Sequence, residues 1–171
     1  MRRAAAVLLV LAAPAAAQEG LYLDRDLTAA ELAPIRAHAQ TCLAACAPED
    51  RACARACPEA GFKACMTGQE GADRSIFLKL QICGRGQATV WGEMLDDALA
   101  GLRKQWAARP YMGLGALEEA QAAWTEWRAK ECEFAGAVTG HNPSAHVEYE
   151  TCEGRLIAER ALALRPYLES E

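Results

Sequence analysis

An all-α fold of disulfide-stapled helical hairpins, packed as a small bundle, is predicted by three features of the sequence. The 171 residues are rich in Ala and poor in Val and Ile, a composition that favours helices over strands. Apolar residues recur at helical spacing in the longer segments. Eight Cys occur at spacings that suit paired helices. The length corresponds to one domain-sized unit.

Residues 1–17 have the pattern of an export signal. Met1-Arg2-Arg3 is a positive start, residues 4–11 are a short apolar run, and small residues end at Ala17 before Gln18. The apolar run is well short of the ~20 residues that a membrane span needs. We therefore expect cleavage after Ala17, a periplasmic or secreted protein, and no membrane span in the mature chain.

The charge of the mature chain excludes some partners. Residues 18–171 carry 16 basic and 23 acidic side chains, a formal net charge of -7. Nucleic acids and anionic membrane surfaces attract clustered Lys and Arg, and the sequence has no such cluster. We therefore expect no nucleic-acid partner, and a small acidic protein should prefer basic partners.

Four Cys near the N-terminus predict a helical hairpin. Cys42 and Cys46, and likewise Cys53 and Cys57, are four residues apart and share a helix face. Cys42 and Cys57 are equally distant from the turn at residues 48–51, and so are Cys46 and Cys53. Two antiparallel helices would join Cys42 to Cys57 and Cys46 to Cys53, because an exported chain keeps its disulfides.

The other four Cys predict two further links. Cys132 and Cys152 are symmetric about Asn142, and Cys65 and Cys83 then pair by elimination. The predicted organisation is a Cys-rich helical hairpin over residues 18–66 and a helical domain over residues 67–171.

A metal or electron-transfer site between Cys42 and Cys57 is the alternative interpretation, since paired C-x-x-x-C spacings also occur in metal chaperones and redox carriers. The sequence has neither C-x-x-C nor C-x-x-C-H. His141 and His146, five residues apart, are poorly spaced for one helix face. We expect structural disulfides, with no metal and no cofactor.

Local signals place the helices. Thr28 and Glu31 have capping-box spacing, which predicts that a helix begins near Thr28. Pro34 would then lie in the first turn or just beyond it, so the alternative is a stable helix that begins at Pro34; either helix runs to about Cys46. A second helix follows Pro48. After a loop at residues 68–73, residues 75–106 form a third helix, which Gly84 and Gly86 weaken at its start.

The last two helices form a hairpin with a well-specified turn. An amphipathic helix is expected from about Leu114 to Val138. Gly140 can end it, Asn142 can cap the next helix, and Pro143 suits a first helical position. This final helix should run to about Leu164.

This hairpin carries a resemblance to a known family. Residues 117–132 follow the pattern L-x-x-A-Q-x-x-W-x-x-[YFW]-R-x-x-x-C, and Y-x-x-C with a later Arg follows at residues 149–160. The segment resembles the LprI-like lysozyme-inhibitor family, closely from Leu117 to Arg165 and loosely from Cys65 to Leu102. Ile157 replaces a usual Thr, and the Cys-rich hairpin is additional. The motif residues are Leu117, Gln121, Trp124, Trp127, Arg128, Cys132, Tyr149, Cys152 and Arg160.

Helical spacing suggests a structural role for these motif residues. We expect Trp124, Trp127 and Tyr149 in the core, with Arg128 and Arg160 paired to Glu131 or Glu159. The alternative is an exposed aromatic patch that forms an interface.

No catalytic residues are predicted, and the chain is not expected to be an enzyme. Glu118-Glu119 and Asp96-Asp97 are paired acids, but adjacent helical positions diverge by about 100°, so neither pair forms a glycosidase dyad. The sequence contains no nucleophile motif and no Gly-rich phosphate loop.

Two functions are compatible with the sequence. The resemblance implies an inhibitor that binds lysozyme, a basic partner for an acidic chain, with Glu118 and Glu119 steering the encounter. The possible inhibitory loop comprises Gly140, His141, Asn142, Pro143 and Ser144. The alternative is a structural or adaptor module that binds an envelope protein or a small ligand through exposed Trp91, Trp106 or Tyr111.

Overall fold

The computed structural model describes residues 22–47, 49–107, 109, 113–140 and 142–168. Within these ranges the chain forms five α-helices and no strand, which confirms the all-α class. The helices are α1 (Ala29–Ala45), α2 (Arg51–Gly68), α3 (Ile76–Ala107), α4 (Leu114–Ala137) and α5 (Pro143–Leu168).

Helix α1 begins at Ala29, which confirms the start near Thr28 that the capping box predicts; the later start at Pro34 is wrong. The Thr28 backbone N–H donates to the Glu31 carboxylate at 2.9 Å, and the Glu31 N–H donates to the Thr28 hydroxyl at 3.3 Å. Arg25 donates to both carboxylate oxygens of Glu31, at 2.8 and 2.9 Å. This complete capping box stabilises the first turn, so Pro34 lies inside the helix.

Helix α3 is the centre of the bundle, and α5 runs parallel to it. A Cβ placed on Gly84 would lie 3.1 Å from the Glu150 backbone, and one on Gly101 would lie 2.8 Å from Leu168. Gly154 comes just as close, since its Cβ would be 3.0 Å from the Gly84 carbonyl oxygen. Glycine in α3 therefore allows close packing, and the helix begins at Ile76 despite Gly84 and Gly86.

The core lies between α3 and its neighbours. Val90, Trp91 and Leu102 of α3 are fully buried, and Leu32 and Ile35 of α1 reach the same cluster. The Trp91 indole N–H donates to the Gln87 side-chain oxygen at 2.6 Å.

Trp91 is 1% exposed, so the expectation that it offers an exposed contact surface is wrong. Trp106 is half-buried against the core. Tyr111, the third residue of that predicted surface, lies outside the described residues.

Four disulfides link successive helices, in the four pairs that the sequence predicts. Cys42–Cys57 joins α1 to α2, and Cys46–Cys53 joins the residue directly after α1 to α2. Cys65–Cys83 joins α2 to α3, and Cys132–Cys152 joins α4 to α5. The predicted division at residues 66 and 67 falls two residues before the end of α2 and stays a prediction.

Helix α5 extends one turn beyond the predicted end at Leu164. Leu164 is buried, and Leu168 packs against the core cluster beside Gly101. This apolar contact holds the last turn in place even though Pro166 lies within it.

Candidate functional site

The family-like residues lie in the antiparallel hairpin of α4 and α5. Cys132 and Cys152 are buried between the helices, with their Cα atoms 5.4 Å apart. Leu117, near the start of α4, is buried in the main core, whereas Leu156 joins a separate cluster around the disulfide. The hairpin therefore has a small apolar core of its own beside the main one.

The turn of the hairpin has the chemistry that its residues predict. Gly140 has a φ of 81°, a backbone conformation that favours glycine. The Asn142 side chain donates to the Thr139 carbonyl at 2.6 Å and accepts from the Ser144 N–H at 2.8 Å. Asn142 therefore caps α5, which begins at Pro143 as expected.

The possible inhibitory loop lies at this turn, at the tip of the hairpin. Gly140 and Asn142 are exposed, and Pro143 and Ser144 are half-buried in the first turn of α5. His141 lies outside the described residues. Because the Asn142 side-chain amide makes two hydrogen bonds within the turn, this amide is committed to structure.

Trp124 is half-buried between two guanidinium groups. The Arg128 and Arg160 guanidinium carbons lie 5.1 and 5.7 Å from the centre of its ring, on α4 and α5 respectively. Arg160 also donates to the Gln121 side-chain oxygen at 3.0 Å. These contacts join the two helices, so this part of the motif is structural.

The expected pairing of Arg128 and Arg160 with Glu131 or Glu159 is wrong. Arg128 forms an ion pair with Glu153 of α5 at 3.2 Å. Glu159 pairs with Arg155, four residues earlier on its own helix. The partner of Arg128 lies across the hairpin because that side of α4 faces α5, a fact that spacing along one helix does not reveal.

Burial changes the acid–base properties of this cluster. Burial raises the pKa of the Glu153 carboxyl, although Arg128 opposes the shift. Burial likewise lowers the pKa of the Arg160 guanidinium. Both shifts come from desolvation of charged groups between packed helices, which a structural cluster also produces.

One face of α4 exposes a row of apolar side chains. Trp127, Phe134 and Val138 are 48%, 64% and 65% exposed. Their separations of seven and four residues keep them on one side of the helix, and small exposed residues continue the row toward its start. We call this row the α4 stripe, comprising Ala116, Ala120, Ala123, Trp127, Phe134 and Val138.

The expectation that Trp127 and Tyr149 lie in the core is wrong. Trp127 is not in the core, and Tyr149 is 37% exposed beside Gly136. The alternative of an exposed aromatic surface therefore describes Trp127, because α5 covers a different side of α4. Apolar residues at helical spacing on two sides of α4 are the sequence signal that predicts such a surface.

An acidic row borders the α4 stripe. Glu119, Glu126 and Glu133 are exposed at intervals of seven residues, so they follow one edge of the helix. Glu126 is neutralised by Lys130, whereas neither Glu119 nor Glu133 forms an ion pair among the described residues. This edge therefore keeps net negative charge beside exposed apolar side chains.

Glu118, expected to act with Glu119 in steering, is placed differently. The Arg103 guanidinium donates to both of its carboxylate oxygens, at 2.6 and 2.9 Å. Arg103 also holds the pKa of the Glu118 carboxyl below its usual value. Only Glu119 of the adjacent pair belongs to the acidic row.

The cysteine cluster of the first hairpin is the one group of potential metal ligands among the described residues. The sulfurs of Cys42, Cys46 and Cys57 lie within 4.8 Å of one another. Each takes part in a disulfide, and a disulfide sulfur is not the thiolate that zinc or copper binds. The three sulfurs lie close together because the Cys42–Cys57 and Cys46–Cys53 disulfides are one helical turn apart.

Comparison with known proteins gives one match. A family model described as lysozyme inhibitor LprI matches residues 65–164, from the end of α2 through most of α5. Cys65–Cys83 and Cys132–Cys152 lie inside the match, and the two links between α1 and α2 lie outside it. No curated protein and no solved structure matches the chain.

The match covers more than half of the chain and includes α3, α4 and α5 as far as Leu164. It agrees with the residues that carry the resemblance, Leu117 to Arg165, except for the last one. The chain therefore belongs to the LprI lysozyme-inhibitor family.

Proposed function

We propose that this protein binds a lysozyme and blocks it without catalysing a reaction. Family membership over residues 65–164 is the observation that carries the proposal. Inhibition by occlusion needs a binding surface and no catalytic group.

The α4 stripe with its acidic row is the surface that suits this role best. Exposed aromatic side chains are common energetic centres of protein interfaces, and Trp127 and Phe134 supply two of them. Glu119 and Glu133 supply negative charge beside them, which favours encounter with a basic enzyme. Val138 leads directly into the turn at residues 139–142, so loop and stripe can contact one partner together.

Four disulfides and the family indicate an extracytoplasmic protein. In the described part of the chain, no helix has the length and apolar character to cross a membrane. We propose that residues 1–17 direct export and are removed after Ala17, which releases the protein into the periplasm or the medium.

An inhibition assay tests the proposal. The oxidised chain of residues 18–171 is titrated into cell-wall lysis by c-type and g-type lysozymes, with the reduced chain as the control for folded structure. We expect stoichiometric inhibition of at least one enzyme, and we expect it to be lost on reduction. Lack of inhibition of both enzymes would refute the proposed function.

Paired variants test the surface. Trp127→Ala with Phe134→Ala should weaken inhibition at least about tenfold, because both side chains are exposed and would be buried by the partner. Ile76→Ala is the matched control, since Ile76 is 56% exposed at the start of α3. Equal inhibition by the double variant and the control would exclude the α4 stripe.

A second pair tests the charge. Glu119→Gln with Glu133→Gln should slow association and reduce its dependence on salt. Asp96→Asn with Asp97→Asn removes the same charge from exposed positions on α3. If the two double variants slow association equally, the association rate depends on the net charge of the protein and not on the acidic row.

The alternative function is an adaptor that binds an envelope protein. The same α4 stripe favours it, because exposed aromatic side chains suit many partners. Capture of an envelope protein by the wild-type chain, lost with Trp127→Ala and Phe134→Ala, together with no effect on lysozymes would support this function instead.

A further inference from the structure

A groove separates α2 from α5 on the side of the bundle formed with the Cys-rich hairpin. Its volume is about 1120 Å³, slightly above the roughly 300–1,000 Å³ typical of small-molecule sites. Gly84 and Gln87 of α3 contribute to its lining, where α2 and α5 both approach that helix. The groove is a concave surface on the opposite side of α5 from its contact with the Trp124 cluster.

The α2 wall carries two arginines on one face. Arg51 and Arg55 are one helical turn apart, both exposed, and neither has an ion-pair partner among the described residues. They lie in the first two turns of α2, whose N-terminus is capped by the Asp50 side chain.

The acids of the groove do not cancel this pair. Glu59 is engaged by Lys63 at 2.6 Å, and Glu159 by Arg155 at 3.0 Å. Lys63 also holds the pKa of the Glu59 carboxyl below its usual value. Arg51 and Arg55 therefore leave a positive site within a chain whose formal net charge is -5.

The surface next to the arginines is apolar. Ala54, Pro58 and Phe62 continue the α2 wall, and Leu162 and Ala163 face them from α5. From Arg51 to Phe62 the wall is about 16 Å long, at 1.5 Å per helical residue. Helical walls offer few free backbone groups to a polar ligand or an extended peptide, whereas they suit an alkyl chain.

We propose that this groove binds a single-chain amphiphile with an anionic head group, such as a fatty acid of about twelve carbons. The head group pairs with Arg51 and Arg55, and the alkyl chain lies along Phe62 and Leu162. The α2 wall precedes residue 65, so the site combines family structure with the additional hairpin of this chain. This site goes beyond lysozyme inhibition and uses none of the α4 stripe.

Calorimetric titration of the oxidised chain with laurate below its micelle concentration tests the proposal. We expect one bound laurate, and at least about hundredfold weaker binding of butyrate, which has the same head group and little chain. Equal affinity for laurate and butyrate would show that the groove binds only an anion, and it would refute binding of an amphiphile. Absence of laurate binding would overturn the site itself.

A matched pair of variants locates the head group. Arg51→Gln with Arg55→Gln should weaken laurate binding at least about tenfold, since charge-assisted hydrogen bonds are lost. Arg103→Gln with Lys104→Gln removes the same charge from exposed positions of α3 outside the groove and should leave binding unchanged. Equal weakening in both pairs would overturn the assignment.

A third variant tests the apolar wall while keeping both arginines. Ala163→Glu places a carboxylate on the exposed α5 wall and should abolish laurate binding while helical circular dichroism is retained. Unchanged binding would place the ligand elsewhere. Displacement of laurate by tetraglutamate at equal affinity would assign the groove to acidic peptides and refute the amphiphile.

Discussion

Replacing Cys132 and Cys152 together by Ala removes the disulfide that joins α4 to α5. The link closes a loop of 20 residues. In the chain-entropy description of disulfides, closing such a loop contributes about 3.3 kcal/mol by restricting the unfolded chain. Both sulfurs are buried in the hairpin core, so lost packing adds to the cost.

Cys46→Ala with Cys53→Ala is the internal comparison. This link closes a loop of 7 residues, which corresponds to about 2.4 kcal/mol for an isolated disulfide. The Cys42–Cys57 link already encloses the same loop, so the inner link restricts the unfolded chain further by less than that value. We therefore expect the Cys132 and Cys152 variant to lose more stability.

Urea unfolding of both variants, followed by far-ultraviolet circular dichroism, measures the two losses. We expect the free energy of unfolding to fall by about 3 kcal/mol or more without Cys132–Cys152, and by about 2 kcal/mol or less without Cys46–Cys53. Equal losses, or a larger loss for the short loop, would refute the loop-closure reasoning.

Three further predictions concern local structure. Arg25 lowers the pKa of the Glu31 carboxyl to about 2. The stability that Glu31 contributes is therefore complete above its unfolded pKa near 4.5 and is lost as the pH falls toward 2. Arg25→Gln should make the free energy of unfolding less dependent on pH over this range, as measured by acid titration. Gly154→Ala should be less stable than Gly92→Ala by about 1–3 kcal/mol, because an added Cβ meets a neighbouring helix at Gly154 and has open space at Gly92; equal melting temperatures would contradict that packing. Asn142→Ala should cost about 1 kcal/mol by loss of the α5 cap, and an unchanged urea midpoint would argue against the observed turn.

Local chemistry accounts for the parts of the fold that the sequence predicts well. Thr28 and Glu31 form the capping box that their spacing indicates, and Gly140 and Asn142 form the predicted turn. The Cys pairings follow from symmetry because residues equally distant from a turn meet across an antiparallel hairpin. Each of these features involves residues close in the chain.

Contacts between distant residues account for the parts that the sequence did not predict. Arg128 pairs with Glu153 across the hairpin, and Gly84 and Gly154 allow two helices to meet that are far apart in the chain. Trp127 shares a helix with the half-buried Trp124 and still faces solvent. In each case the outcome depends on which side of a helix another helix covers.

The sequence alone determined the all-α class, the helix order and the four disulfide pairs, because propensity, capping and hairpin symmetry act over short distances along the chain. Tertiary structure decided which apolar face of α4 is buried, which acids stay unpaired, and where α2 and α5 leave a groove. These features depend on the rotation and separation of packed helices, which are set by contacts among all five helices together.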